Sequence, residues 1–149
     1  MKLRSFIGGA LASAALAACA TSSGPLAPAP FDPANCTTRE LDIYFVGQSS
    51  ELTREARRIM DGLGQSVQGC RIEAWRVVGA TDAQGGAVSN DQISERRAQV
   101  IAEYLATRVG WPRSRMTVAA AGERGAVTEE GLAVPMRRRA RIVVDAVAP

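Results

Sequence analysis

The chain has 149 residues, a formal net charge of +3 at neutral pH and no histidine. Without an imidazole, histidine-ligated metal sites and Ser–His or Cys–His catalysis are excluded, and no cofactor is indicated. Once an N-terminal leader and a linker are set aside, about 110 residues remain, enough for one domain with its own core but not for two.

The first 18 residues have the pattern of a secretory signal peptide. Lys2 and Arg4 precede an apolar run that is too short to remain in a bilayer as a spanning helix. Cleavage of this segment would remove two positive charges and lower the formal net charge from +3 to +1. The high isoelectric point therefore belongs partly to the leader, and we expect no nucleic-acid partner.

The leader ends in Leu16-Ala17-Ala18-Cys19, which is similar to the lipobox of bacterial lipoproteins. This resemblance predicts cleavage before Cys19 and lipidation of its thiol, and a cysteine with several acyl chains anchors a protein stably. An ordinary secretory signal, with Cys19 incidental, is the alternative. Ala20 follows the cysteine, and in similar lipoproteins the absence of aspartate there favours the outer membrane. We therefore expect a lipid anchor on its periplasmic face.

Residues 19–40 are predicted to be a tether. The stretch from Ala20 to Asn35 is rich in serine, alanine and proline, so it cannot bury enough apolar surface to fold. Extended as polyproline II, it would reach about 50 Å. That length would allow a membrane-anchored domain to reach a cell wall.

Cys36 and Cys70 are the thiols that remain after lipidation of Cys19. Each lies shortly before a predicted strand, so the two could meet at one end of a sheet. In an oxidising periplasm a disulfide between them is plausible. Two buried free thiols are the alternative.

Residues 41–147 are predicted to form an α+β domain with the element order β-α-β-α-β-β. Thr53 is the expected N-cap of the first helix, which has one apolar face. Two helices on one face of a four-stranded sheet, a two-layer sandwich, is the simplest packing for this order. The expected strands are 41–46, 72–79, 115–121 and 140–146; the second helix is 91–109.

A glycine-rich loop between the second strand and the second helix carries the candidate site. Asp82 follows the strand, and Arg97 lies on the apolar stripe of the helix, four residues from both Ile93 and Ile101. A guanidinium directed towards a core needs an anionic partner. The pattern indicates either a structural ion pair between Asp82 and Arg97 or a joint site for a small zwitterion, with Asn90 at the helix entry.

The same stretch resembles a family signature. Thr81-Asp82-x-x-Gly85, then Asn90, then Ile93-Ser94-x-x-Arg97-Ala98 is similar to the TDxxG…NxxLSxxRA pattern of the OmpA-like C-terminal domain family, which includes the peptidoglycan-associated lipoproteins. The resemblance continues over residues 41–147 and implies a mixed sheet. It also implies non-covalent binding of peptidoglycan through the diaminopimelate of the stem peptide.

The resemblance assigns roles to five residues of this site. Asp82 would receive the ammonium group of diaminopimelate, and Arg97 would receive its carboxylate. Thr81 and Asn90 would line the same pocket, and Arg138, in a closing segment similar to that of the family, would also face the ligand. The protein would thus be an outer-membrane lipoprotein that links the membrane to the cell wall.

Departures from the family pattern keep a second function open. Ala80 stands where the family usually has histidine, Arg137 replaces an asparagine, and residues 46–48 lack the usual acids. The alternative is an envelope module that binds other proteins and has lost peptidoglycan binding. We do not expect an enzyme, because Asp82 beside Arg97 would be a poor general acid.

Overall fold

The computed structural model describes residues 31–149. The predicted signal peptide, Cys19 and most of the predicted tether lie outside these residues. In the described part, no helix is both long enough and apolar enough to cross a membrane.

Four strands form one mixed sheet, as the sequence predicts. Its spatial order is β1-β4-β2-β3, so β1 and β3 are the edges. β4 is antiparallel to both β1 and β2, whereas β3 is parallel to β2. The bounds are β1 Arg39–Tyr44, β2 Arg71–Gly79, β3 Met116–Ala120 and β4 Arg139–Val147.

Two helices complete the predicted order. α1 spans Arg54–Ser66, and α2 spans Ala87–Tyr104 and continues as a π-helical turn over Leu105–Val109. Thr53 caps α1 as predicted, since its hydroxyl accepts a hydrogen bond from the Ala56 amide at 3.0 Å.

The predicted start of α2 is wrong by four residues. The helix begins at Ala87 with Gly86 at the N-cap, so Asn90 lies inside the first turn rather than at the helix entry. Gly85 has a φ of 99°, a left-handed conformation that glycine adopts without strain. The chain therefore turns at Gly85 and enters α2 before the predicted start, and no side chain forms a capping hydrogen bond there.

The core lies between the sheet and the two helices. Trp75 of β2 is buried against Trp111, with ring centroids 5.6 Å apart in an edge-to-face arrangement. Such a pair contributes about 0.5–1.5 kcal/mol beyond the area that it buries. The cluster of buried apolar residues runs from Ile43 to Ala146, so the described part of the chain contains a complete core of its own.

The folded domain begins before residue 41, where we expected the tether to end. β1 starts at Arg39, and Cys36 is joined to Cys70 by a disulfide with the Cα atoms 5.5 Å apart. Residues 36–40 are therefore part of the domain. β1 and β2 are parallel to each other, because both are antiparallel to β4. The disulfide lies at the start of these two strands, and the loop with Asp82 lies at their opposite end.

Very close packing of α2 on β2 positions the candidate site. A Cβ atom at Gly79 would lie 1.8 Å from the backbone oxygen of Ser94. Only glycine permits this approach, which brings the last residue of β2 against the middle of α2. The residues that follow Gly79 are thereby held beside Arg97.

Candidate functional site

Asp82 is buried where the chain leaves β2. The backbone is fixed just before it, because Ala80 donates to the Arg139 carbonyl at 2.8 Å and Thr81 donates to the Gly122 carbonyl at 2.9 Å. Thr81 is fully buried, and Asp82 is only 3% exposed. One oxygen of the Asp82 carboxylate lies 3.3 Å from Nε of Arg138. The acid is thus enclosed and paired with Arg138, whose side chain is 32% exposed.

Arg97 is fully buried and is held by main-chain oxygens. Its Nε donates to Ser49 O at 3.0 Å, Nη1 to Ala80 O at 3.0 Å and Nη2 to Gly47 O at 2.6 Å. The guanidinium carbon also lies 5.1 Å from the centroid of the Phe45 ring, in the range of a cation–π contact. Arg97 therefore ties the loop after β1 to the end of β2.

The electrostatics of Arg97 and Asp82 differ from the simple ion pair that the sequence suggests. Burial lowers the pKa of the Arg97 guanidinium, the Asp82 carboxylate raises it, and Arg138 lowers it again. An arginine nevertheless remains charged in a protein. Within residues 31–149 the ion pair of Asp82 is with Arg138 and not with Arg97, so the structural Asp82–Arg97 pair, one of the two interpretations of the sequence, is wrong. Three carbonyl oxygens satisfy Arg97 instead.

The expected contact between Arg97 and a ligand carboxylate also does not fit this conformation. With no exposed side-chain surface, Arg97 can reach a ligand only if the loop containing Gly47 and Ser49 moves. Arg138 is the cation of this site that solvent reaches. In this conformation Arg138 is therefore the more accessible of the two arginines that the sequence singled out.

The side-chain oxygen of Asn90 has no partner among the described residues. Its Nδ2 donates to a carboxylate oxygen of Glu123 at 2.5 Å, whereas its buried Oδ1 accepts no hydrogen bond from residues 31–149. A Cβ at Gly85 would lie 3.2 Å from this oxygen, so the glycine leaves room beside it. An unpaired buried acceptor is costly, and in a native protein it needs an explanation such as a bound water or ligand.

Two contacts that the sequence did not reveal connect the surrounding loops. Gln48 Nε2 donates to the Gln84 carbonyl at 3.0 Å, which joins the loop after β1 to the loop after β2. Ser94 Oγ accepts a hydrogen bond from the Gly122 amide at 3.0 Å and so joins α2 to the loop after β3. The side-chain pattern gave no signal for the first contact, whereas Ser94 is part of the signature quoted above.

The site thus contains the buried carboxylate of Asp82, the partly exposed guanidinium of Arg138 and the guanidinium of Arg97, which carbonyl oxygens hold. It also contains the Asn90 amide oxygen that lacks a partner among the described residues. Hydrogen bonds in which one partner is charged are among the strongest in proteins. The arrangement suits a ligand that carries an ammonium group and a carboxylate close together.

Known proteins resemble this chain in sequence and in fold. Outer membrane protein A of Bordetella avium is 27% identical over 106 residues, which are 71% of this chain and 54% of that protein, so the chain spans about half of its length. The OmpA-like domain of FopA1 from Francisella tularensis superposes with a TM-score of 0.62 at 20% identity, covering 74% of each chain.

The peptidoglycan-associated lipoprotein of Burkholderia pseudomallei superposes with a TM-score of 0.56 at 20% identity, covering 69% of this chain and 88% of that one. At such low identity these structures show the fold alone, which is the predicted one. The family model described as the OmpA family matches residues 44–141. This match covers more than half of the sequence, and the chain belongs to the OmpA family.

Proposed function

We propose that this domain binds peptidoglycan non-covalently by recognising the diaminopimelate of its stem peptide. The observation that carries the proposal is the buried Asp82 carboxylate, whose counter-ion is the partly exposed Arg138. Membership of the OmpA family and the fold shared with a peptidoglycan-associated lipoprotein support it.

Binding would exchange one internal ion pair for two ion pairs with the ligand. The ammonium group of diaminopimelate would replace Arg138 at Asp82, with the unpartnered Oδ1 of Asn90 as a second acceptor. Arg138, once released, would receive the ligand carboxylate. The buried acid would then remain paired throughout, which avoids the penalty of an isolated buried charge.

Thr81 and Arg97 would position other groups of the site. The Thr81 hydroxyl lies 3.5 Å from the Asp82 carboxylate and would help to orient it. Arg97 would hold the Ala80 carbonyl and the loop after β1. Direct contact between Arg97 and the ligand would require that loop to open.

Retention on purified sacculi tests the proposal. Asp82→Asn and Arg138→Gln each remove one charge-assisted contact, worth about 1.5–3 kcal/mol, so we expect binding to weaken about 10- to 100-fold. The matched controls are Asp61→Asn and Arg96→Gln, which change exposed residues elsewhere on the helices. Unchanged retention of both site variants, with folding intact, would reject the proposal.

The finer part of the proposal is a lipid anchor in the outer membrane. It is supported by Leu16-Ala17-Ala18-Cys19 in the sequence, a segment outside the described residues. Cys19→Ser should shift the protein from the membrane fraction to the soluble periplasmic fraction. A variant that stays with the outer membrane to the same extent would argue against lipidation.

The second candidate is a protein-binding module of the cell envelope. Enclosure of Asp82 and Arg97 favours it, since both side chains already have partners within the domain. Titration with a diaminopimelate-containing stem peptide, followed by NMR, separates the two candidates. Shifts at the amides of residues 79–86 support peptidoglycan binding, and their absence at saturating peptide supports the module.

A further inference from the structure

β3 is an edge strand with one row of backbone groups directed away from the sheet. Its neighbour is β2 alone. The amide of Ala121, just after the strand, donates to the Gly79 carbonyl of β2 at 2.7 Å. Because successive residues of a strand alternate, the backbone groups of Met116, Val118 and Ala120 point outwards.

The chain already satisfies two of these six outward groups. The Met116 amide donates to the Arg113 carbonyl, and the Ala120 carbonyl accepts from Nη2 of Arg124 at 2.6 Å. Four groups have no partner within residues 31–149: the carbonyl of Met116, the amide and carbonyl of Val118, and the amide of Ala120. Unpaired edge groups of this kind are ready to pair with another strand.

We propose that the protein forms a homodimer in which two copies of β3 pair antiparallel about a two-fold axis at Val118. Each Val118 then exchanges two hydrogen bonds with its counterpart, and each Ala120 amide donates to the Met116 carbonyl of the other copy. All four free groups of both strands are used. The two groups bonded within the chain fall at the ends of this ladder. A two-fold interface requires such self-complementarity.

A groove beside β3 gives the second copy a place to pack. It has a volume of about 370 Å³ and lies between α2 and the strand, with Gln99 and Ala102 on the helix side and Met116 and Val118 on the strand side. In the two-fold arrangement, both copies of α2 lie on the same face of one eight-stranded sheet. The helix of one copy therefore borders the groove of the other.

The charges around the groove are complementary under the same symmetry. Glu103 at one end is paired with Arg113 at 2.7 Å, whereas Glu95 at the other end contacts Gln99 at 3.1 Å. α2 connects two parallel strands, so it runs opposite to β3. The two-fold axis brings the Arg113 end of one copy to the Glu95 end of the other. This match favours a second copy over an unrelated peptide strand.

Cross-linking tests the register directly. Thr117 and Ala119 are exposed, and in the dimer they face each other as a non-hydrogen-bonded pair with Cα atoms about 4.5 Å apart, close enough for a disulfide. Domains of residues 31–149 carrying Thr117→Cys and Ala119→Cys should form a cross-linked heterodimer when mixed under mild oxidation. Each variant alone should cross-link far less. Equal cross-linking in all three samples, or none, overturns the register.

Sedimentation equilibrium with Val118→Pro tests the dimer without engineered thiols. Proline removes an amide that has no partner in the described part of the chain, and edge strands tolerate it there, so the fold should survive. We expect wild-type dimers at high protein concentration and about a tenfold weaker association for the variant. A monomeric wild-type domain, or undiminished dimers of a folded Val118→Pro domain, overturns the proposal.

Discussion

Replacing Arg97 by methionine separates a structural role from direct contact with the ligand. In the folded domain the guanidinium donates to the carbonyls of Gly47, Ser49 and Ala80. Each hydrogen bond to a charged donor contributes about 1.5–3 kcal/mol net, and methionine would leave three acceptors unpaired, one buried and two partly buried. Partial access of water to the two outer carbonyls offsets part of this sum, which leaves a loss of about 3–5 kcal/mol. We expect Arg97→Met to lower the free energy of unfolding by that amount.

Denaturation by guanidinium chloride measures this loss, because domains of this size are usually only 5–15 kcal/mol stable. Trp75 and Trp111 are both buried, so their fluorescence reports unfolding of the core. Arg97→Lys keeps the charge but not the planar guanidinium, so its free energy of unfolding should lie between those of Arg97→Met and the wild type. Arg96→Met changes an exposed neighbour on α2 and should shift the free energy by less than about 0.5 kcal/mol.

One result would refute the reasoning. Suppose that the free energy of unfolding of Arg97→Met is within about 1 kcal/mol of the wild-type value, yet the variant no longer binds sacculi. The loop after β1 would then not depend on Arg97. The residue would then contact the ligand directly, as the family resemblance implies. A large loss of stability together with residual binding by the folded fraction would support the positioning role.

Three further predictions concern the scaffold. Gly79→Ala should lower the free energy of unfolding, measured by thermal denaturation, by about 3 kcal/mol or more, because the new Cβ would lie 1.8 Å from a backbone oxygen. Gly62→Ala should be neutral or stabilising, because no described atom lies within 4 Å of its new Cβ. A hydrogen bond from Arg141 lowers the pKa of Asp42, so the stability lost in Asp42→Asn at pH 7 should disappear as the pH falls below about 4. Reduction of the disulfide, which joins residues 34 positions apart, should cost about 3–4 kcal/mol but leave sacculus binding intact.

The element order could be predicted because it depends on local patterns. Apolar periodicity and β-branched runs gave four strands and two helices, and Thr53 gave the start of α1. The start of α2 was misjudged because asparagine is a common cap, whereas here the chain turns at Gly85 and enters the helix through Gly86. A helix start that depends on glycine rather than on a side-chain cap is harder to recognise in the sequence.

The charged residues that the structure buries at the end of β2 could be singled out from the sequence, but their contacts could not. Asp82 and Arg97 stood out because charges at the edge of a core need partners. The partners of Arg97, however, are carbonyl oxygens, two of them from a loop about 50 residues earlier. Every residue has a carbonyl, so a pattern of side chains does not identify which ones converge. The pairing of Asp82 with Arg138 was missed for a related reason, since it depends on how the segment before β4 folds back.

The direction of the strands places the start of β1 and the candidate site at opposite ends of the domain. β1 starts beside the Cys36–Cys70 disulfide, and β2 starts at the same end. Both strands run to the end where Asp82 lies, and the nine residues of β2 cover about 30 Å. A domain anchored through its N-terminus would therefore present Asp82 away from the membrane. That orientation would suit the wall-binding function proposed above, and the disulfide ties the start of β1 to the start of β2, the strand that leads to Asp82.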